Sequence, residues 1–263
     1  MPALPGHGPN PAVAGEAGWV ALYNLDCTGE GDWDFLGTPG PSAGPSYTDS
    51  LGTTWDTADD TINGESNASV LGFQDGVGLV ITTSANGAVS IGQEIANLLG
   101  GYSLTGFDRI ALVVDVETTT LDRNFNYLSF AFGDRALTGG DRFEAQRIYD
   151  SGSGGLKFRS GRRIAGTYVT DTTLSSPQAI ALVIGRQESM AYSRATYAAP
   201  FGDWTAHENA AWNHDPSSPV SLPYLGDGSA WLSLEFNRNA AAGGNHTATI
   251  RRIAIFGWAP AWR

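Results

Sequence analysis

Alternation of apolar and polar residues is the strongest pattern in this chain, and it predicts β-strands. Ile110, Leu112, Val114 and Val116 recur at every second position in the centre of the sequence, which is the period of a strand. The residues between them are mostly apolar as well, so this strand is expected to be covered on both faces. Residues 179–184 form a second, nearly continuous apolar run of the same kind.

The last third of the chain repeats the alternation with one irregularity. Leu232, Leu234 and Phe236 share one face of a predicted strand. The final strand, residues 247–258, changes its apolar phase between Ile250 and Ile253. An extra residue in one strand of a pair restores such a phase, so a β-bulge is expected there.

Residues 89–99 allow two interpretations. Ser90-Ile91-Gly92-Gln93 fits a capping box that opens a short helix, and Gly100-Gly101 would end it. The alternation of Val89, Ile91 and Ile95 favours a strand instead. Of the two, we favour the helix.

The pattern as a whole predicts an all-β protein with ten to twelve strands and at most two short helices. Because strands do not alternate with helices, an antiparallel β-sandwich of jelly-roll or concanavalin-like type is expected. Residues 1–18 are rich in Pro and Gly and predict a flexible N-terminal arm. Residues 19–263 are predicted to form a single sandwich domain.

Composition restricts the classes of partner. The net charge is −12, and the basic pairs Arg162-Arg163 and Arg251-Arg252 are isolated in the sequence, so nucleic-acid binding is not expected. No apolar run approaches the length of a membrane helix, which predicts no membrane insertion. Cys27 is the sole cysteine and excludes an intramolecular disulfide. The N-terminus shows no secretory signal pattern.

The closing segments carry a family resemblance. Ile250-Arg251-Arg252-Ile253-Ala254-Ile255-Phe256, following Trp231-Leu232-Ser233-Leu234-Glu235-Phe236-Asn237, resembles the end of concanavalin-like and jelly-roll lectin sandwiches. Such modules occur on phage tail tips, fibres and capsid spikes. The resemblance implies glycan or receptor binding in part of the family and purely architectural virion roles in another part.

Aromatic residues in polar segments are the candidate ligand-binding residues. Sugars present apolar C–H faces and hydroxyls, so aromatic planes beside polar groups suit them, and Trp and Tyr also dominate protein interfaces. The alternative is that these rings hold long loops onto the sandwich edge. The candidates for glycan or partner contact are Trp33, Trp55, Trp204, His207, Trp212, His214 and Tyr224.

Acidic residues provide the candidates for metal binding and catalysis. Asp56, Asp59, Asp60 and Asn63 are candidates for a calcium site, because calcium prefers clustered oxygen ligands; no other cofactor is expected. Paired carboxylates serve glycosidases, and the strand acids here are Asp115, Glu117, Glu144 and Glu235. The first pair lacks the E-x-D-x-x-E pattern of the concanavalin-like glycosidases, so the chain is not expected to be an enzyme.

These observations predict a non-enzymatic structural protein of a bacteriophage virion. It would be a decoration, spike, tail-tip or fibre subunit, made in the host cytoplasm and assembled with itself and with other virion proteins. Host surface glycan is a candidate ligand. The alternatives are a carbohydrate-binding lectin module outside a virion and a glycan-cleaving enzyme with a β-sandwich fold.

Overall fold

The computed structural model describes the strands, one short helix and several turns of the chain. The described residues are 18–28, 34–35, 47–49, 51–61, 69–74, 76–83, 87–99, 107, 109–119, 127–133, 142–150, 155–164, 167–169, 174–175, 179–185, 189–194, 203–207, 231–238 and 246–259. The fold is all-β and antiparallel, as the alternation predicts. The division into an arm and one domain stays a prediction, because residues 1–17 lie outside the described part.

Sheet 1 has eight strands arranged around a long C-terminal strand. They are β1 (Gly18–Asp26), β5 (Ser69–Gln74), β6 (Gly78–Thr83), β8 (Arg109–Thr119), β14 (Ala179–Gly185), β15 (Ser189–Arg194), β16 (Thr205–His207) and β18 (His246–Ala259). Their order is β16-β15-β14-β8-β18-β6-β5, and β1 also pairs with β18. One edge of β18 therefore pairs with β6 near its start and with β1 near its end.

Sheet 2 has ten strands, several of them only two or three residues long. They are β2 (Asp34–Phe35), β3 (Tyr47–Thr48), β4 (Thr54–Thr61), β7 (Gly87–Glu94), β9 (Tyr127–Gly133), β10 (Arg142–Asp150), β11 (Gly155–Ile164), β12 (Thr167–Val169), β13 (Leu174–Ser175) and β17 (Trp231–Arg238). Their order is β12-β11-β10-β9-β17-β7-β4-β3-β2, with β13 beside β11. The short strands explain why the described residues contain more strands than the sequence predicts.

The main core lies between the two sheets and is built from alternate strand positions. Strand β8 contributes Ile110, Leu112, Val114 and Val116 to this core. The intervening Ala111 and Val113 belong to a second buried cluster on the other face of sheet 1. The prediction that this strand is covered on both faces is therefore confirmed. In sheet 2 the inward positions include Trp55, Ile91, Leu128, Phe130, Phe132, Leu232, Leu234 and Phe236.

The predicted helix over residues 90–99 is mostly wrong. Residues 87–94 form β7, where Val89 and Ile91 pair with Phe236 and Leu234 of β17. Only Ile95–Leu98 are helical (α1), and Glu94 at the N-cap makes no side-chain capping bond. The long-range pairing of two apolar residues with β17 outweighs a local capping signal, which is worth only about 1 kcal/mol.

The predicted bulge in the final strand is confirmed, and it has a counterpart in the neighbouring strand. Between Ile250 and Arg252 the pairing with β8 skips Arg251, while between Thr249 and Ile250 it skips Glu117 of β8. The two extra residues compensate each other, so the register is the same on both sides of the irregularity. Because Arg251 is an extra residue in β18, Ile250 and Ile253 both reach the core between the sheets.

Candidate functional site

The outer face of sheet 2 buries polar residues at its centre. Since Leu232, Leu234 and Phe236 enter the core, Ser233 and Glu235 of β17 lie on the opposite face. An outer face of an antiparallel sandwich is usually solvated, yet Ser233 is 2% and Glu235 5% exposed. Buried polar side chains are the informative exception in a protein, so this part of the sheet is the candidate site.

Small residues surround Glu235 on this face. Ser233 pairs with Ala131 of β9 on one side and with Gly92 of β7 on the other. Glu235 pairs with Ser129 of β9 in the next row. Ser129, Ala131 and Gly92 are all buried. We call Gly92, Ser129, Ala131 and Ser233 the floor; Glu235 is the one long side chain among these buried positions of β7, β9 and β17.

The floor contains an unsatisfied polar atom. Among the residues that the structure describes, Ser233 Oγ is buried and has no hydrogen-bond partner. A Cβ atom at Gly92 would lie 3.1 Å from the carbonyl oxygen of Leu232 and 3.3 Å from both Ser233 Oγ and Trp231 Cε3, so these neighbours pack closely against the glycine. Buried hydroxyls are normally hydrogen-bonded, which makes Ser233 a candidate partner for a ligand hydroxyl. Trp231 is half-buried and stands at the end of the floor.

Acidic positions extend the floor on both sides. Glu144 of β10 pairs with Ala131, and Asp56 of β4 pairs with Gly92. The row across the sheet thus consists of three small residues with an acidic residue at each end. Glu235 lies in the adjacent row. Strands are spaced by about 4.8 Å, so each acidic position is roughly 10 Å from Ser233 along the row. This spacing suits an extended ligand rather than a single ion.

Trp204, a predicted ligand-binding residue, lies on the other sheet and is mostly covered. It is 7% exposed and belongs to the cluster on the outer face of sheet 1. Tyr192 is partly buried against the same cluster. The adjacent Asp203 forms an exposed ion pair with Arg194 at 2.6 Å. The structure therefore does not bring Trp204 together with the floor.

Trp55 belongs to the core. Its side chain is 0% exposed, and its Nε1 donates a hydrogen bond of 2.7 Å to Asp49 Oδ2. The hydroxyl of Tyr23 donates to the same oxygen, and burial followed by the Asp49 charge raises the pKa of Tyr23 well above its usual value. Because Tyr23 is in sheet 1 and Trp55 in sheet 2, this cluster joins the sheets. A fully buried ring offers no face to a ligand, so Trp55 acts here as a structural anchor.

Of the other predicted ligand-binding residues, His207 lies within the described part of the chain. His207 is the last residue of β16 and pairs with Ala191. The remaining predicted residues, Trp33, Trp212, His214 and Tyr224, lie outside the described residues.

The predicted calcium residues do not form a loop as expected. Asp56, Asp59 and Asp60 lie in strand β4, and Asn63 is outside the described residues. Successive strand positions belong to opposite faces, so Asp59 and Asp60 do not share one. No group of three potential metal ligands occurs within the described part of the chain. Calcium binding stays a prediction.

Sequence reasoning missed most of the floor. Glu235 was identified only as a strand acid, Gly92 was assigned to a capping box, and Ser129 and Ser233 received no role. The available signal was the polar half of the β17 alternation, in which Ser233 and Glu235 separate large apolar residues. Their burial depends on pairing with distant strands and could not be read locally. Within the described residues, no helix has the length and apolar character needed to cross a membrane.

Comparison with protein-family models and with curated proteins finds no match. Among solved structures, the chain is similar to the Ca2+/Man3GlcNAc-bound exoplasmic/lumenal domain of VIP36 (7% identity, TM-score 0.46, 77% of this chain and 83% of that one). It is similar to Trypanosoma rangeli sialidase in complex with 2,3-difluorosialic acid (13% identity, TM-score 0.40, 91% of this chain and 32% of the sialidase). It is also similar to a carbohydrate esterase of the Shiga toxin-encoding bacteriophage phi24B (13% identity, TM-score 0.42, 91% and 99% covered).

These similarities correct one prediction. The sequence was interpreted as that of a non-enzymatic protein, but the similar structures include a sialidase and a carbohydrate esterase. The exclusion of enzymatic activity is therefore withdrawn. The lectin-like resemblance of the closing strands and the link to phage appendages stay predictions.

Proposed function

We propose that this protein binds carbohydrate on the outer face of sheet 2. The observation that carries the proposal is the buried, polar floor around Glu235, with the unsatisfied Ser233 Oγ. A carboxylate accepts hydrogen bonds from sugar hydroxyls, and a serine hydroxyl both donates and accepts. The neighbouring Gly92, Ser129 and Ala131 have short side chains or none.

Trp231 adds an aromatic surface beside these polar groups. Its indole is half-buried beside Gly92 and therefore keeps part of its surface available. Aromatic side chains combine a large apolar surface with few rotatable bonds, which lowers the entropy lost on binding. A sugar ring packed on Trp231 would place its hydroxyls toward Ser233 and Glu235.

The proposed setting is a bacteriophage particle, in which the protein is a decoration, spike, tail-tip or fibre subunit in contact with itself and with other virion proteins. The support is the antiparallel sandwich, whose many connections are suited to partner contacts, and the net charge of −12, which is unfavourable for packaging nucleic acid. Mass spectrometry of purified particles tests this setting. We expect the protein at a fixed stoichiometry, and its absence from particles would refute a virion role.

Glycan binding is tested by an array screen followed by calorimetry on the glycans that bind. Glu235→Gln removes the charge at nearly constant shape, and we expect affinity to fall at least tenfold, which corresponds to about 1.4 kcal/mol. Asp203→Asn, in the exposed ion pair on sheet 1, is the matched control and should leave affinity unchanged. Equal affinities for the wild type and Glu235→Gln would argue against this site. Release of reducing ends is measured in the same samples, because catalysis is no longer excluded.

A further inference from the structure

Strand pairing gathers basic residues that are scattered in the sequence. Arg142 of β10 is directly opposite Arg163 of β11. On the same face, Arg159 is opposite Gln146, and Lys157 is opposite Ile148. Residues directly opposite in an antiparallel pair occupy the same face of the sheet, so one basic position of β10 and three of β11 lie in two adjacent columns. We call Arg142, Lys157, Arg159 and Arg163 the basic columns.

The basic columns lie on the face that carries the floor. Arg142 pairs with Gly133 of β9, which pairs with Trp231 of β17. In a second row, Gln146 pairs with Ser129, which pairs with Glu235. The first row thus connects Arg142 to the candidate site across one intervening strand, and the second connects Arg159, opposite Gln146, to Glu235 across two.

The local charge is opposite to that of the whole chain. The outer positions of β10 and β11 include four basic residues and two acids, Glu144 and Asp150, which gives a net charge of +2 from four minus two. The chain as a whole carries −12. On the other side of the floor, β4 contributes the acidic positions Asp56 and Asp60 to the same face, opposite Gly92 and Ala88. The outer face of sheet 2 is therefore basic on one side and acidic on the other.

The direct pairing of Arg142 with Arg163 needs a physical explanation. Like charges directly opposite each other destabilise a strand pair, and the cost is offset when an anion lies between them. Arginine binds carboxylates and sulfates through paired, charge-assisted hydrogen bonds. Gly133, which pairs with Arg142, has a φ of 139° and no side chain to fill the next position in the row.

We propose that the outer face of sheet 2 binds an anionic polysaccharide, with its carboxylates over the basic columns and its neutral hydroxyls over the floor. The proposal rests on carbohydrate binding at this face and specifies the class of ligand. From β11 to β17 the strands span about 14 Å, so the ligand is an oligomer of several sugars. Polygalacturonate is the probe for carboxylated chains, dextran sulfate for sulfated chains, and dextran for neutral chains.

The test compares two double variants of equal charge change in the full chain. Arg142→Gln/Arg163→Gln changes the basic columns, and Arg109→Gln/Arg194→Gln changes two arginines of sheet 1. We expect wild type and the sheet 1 variant to bind polygalacturonate at least tenfold more tightly than dextran. The basic-column variant should lose this preference while circular dichroism shows an unchanged fold. Affinity should also decrease with added salt, because salt screens the charges.

Each outcome separates this inference from the proposed function. Equal losses of affinity for polygalacturonate in both double variants would show a nonspecific charge effect and overturn the inference. Strong binding of inorganic polyphosphate that survives the basic-column changes would also overturn it. A preference for dextran sulfate over polygalacturonate would refute carboxylates as the recognised group. Binding of dextran that depends on Glu235 but not on the basic columns would overturn the inference while supporting carbohydrate binding at the floor.

Discussion

At the scale of single residues, Asp49 is a buried polar group that connects the two sheets. Its buried carboxylate accepts hydrogen bonds from Tyr23 Oη and Trp55 Nε1, and from the backbone N–H groups of Leu51 (2.8 Å) and Thr53 (3.0 Å). One acid therefore fixes the turn before β4 and joins β1 to β4. Four donors would lose their common acceptor if it were removed.

Asp49→Ala should consequently lower the free energy of unfolding by about 3 kcal/mol or more, because buried donors left without an acceptor bear the full desolvation cost. Asp203→Ala, at an exposed ion pair, should cost less than about 1 kcal/mol. Urea unfolding followed by tryptophan fluorescence measures both values. Similar midpoints for the two variants would show that the Asp49 cluster does not hold the sheets together.

Cys27 provides a second residue-scale prediction. Its side chain is 0% exposed, and burial, together with the nearby Asp26 and Asp49 charges, raises the pKa of its thiol. Only the thiolate reacts with disulfide reagents, so the native protein should not react with Ellman's reagent. Labelling should begin only as denaturant unfolds the chain. Immediate stoichiometric labelling without denaturant would contradict the described packing of β1 on the core.

At the scale of elements, paired bulges set the alignment of β8 and β18. Glu117 and Arg251 are each skipped in the pairing, on opposite strands. Deletion of either one alone leaves an uncompensated shift, which would turn one set of core residues to the wrong face. Deletion of both restores a continuous ladder with every residue on its present face.

We therefore expect each single deletion to destabilise the protein more than the double deletion does. Thermal unfolding of the three variants measures this non-additivity directly. A double deletion whose loss equals the sum of the two single losses would mean that the bulges act independently, contrary to the described register.

At the scale of the whole molecule, local patterns predicted more of the fold than of the site. The alternation in residues 110–116 and the phase change near Ile250 depend on neighbouring positions, so strand and bulge could be identified from sequence. The strand at residues 87–94 required knowledge that Val89 and Ile91 pair with β17, more than 140 residues away. Burial of Trp55 likewise depends on Asp49 and Tyr23 meeting it across the sandwich.

The candidate site likewise depends on long-range strand pairing. Ser129, Ser233 and Gly92 are inconspicuous in the sequence and become a floor only through the order of β9, β17 and β7. The basic columns arise in the same way, since Arg142 and Arg163 are separated by a hairpin. Composition predicted an acidic protein without a basic stripe, and pairing creates a local basic region within it.

The most direct measurement compares two tryptophans on opposite faces of the sandwich. Trp231 is half-buried beside the floor, whereas Trp258 is half-buried on sheet 1 and packs edge-on against Trp19 with ring centroids 5.4 Å apart. Calorimetric titration of the best-binding glycan should show at least a tenfold loss of affinity for Trp231→Ala, about 1.4 kcal/mol, and no significant change for Trp258→Ala. Retained binding in Trp231→Ala with loss in Trp258→Ala would contradict carbohydrate recognition by the outer face of sheet 2.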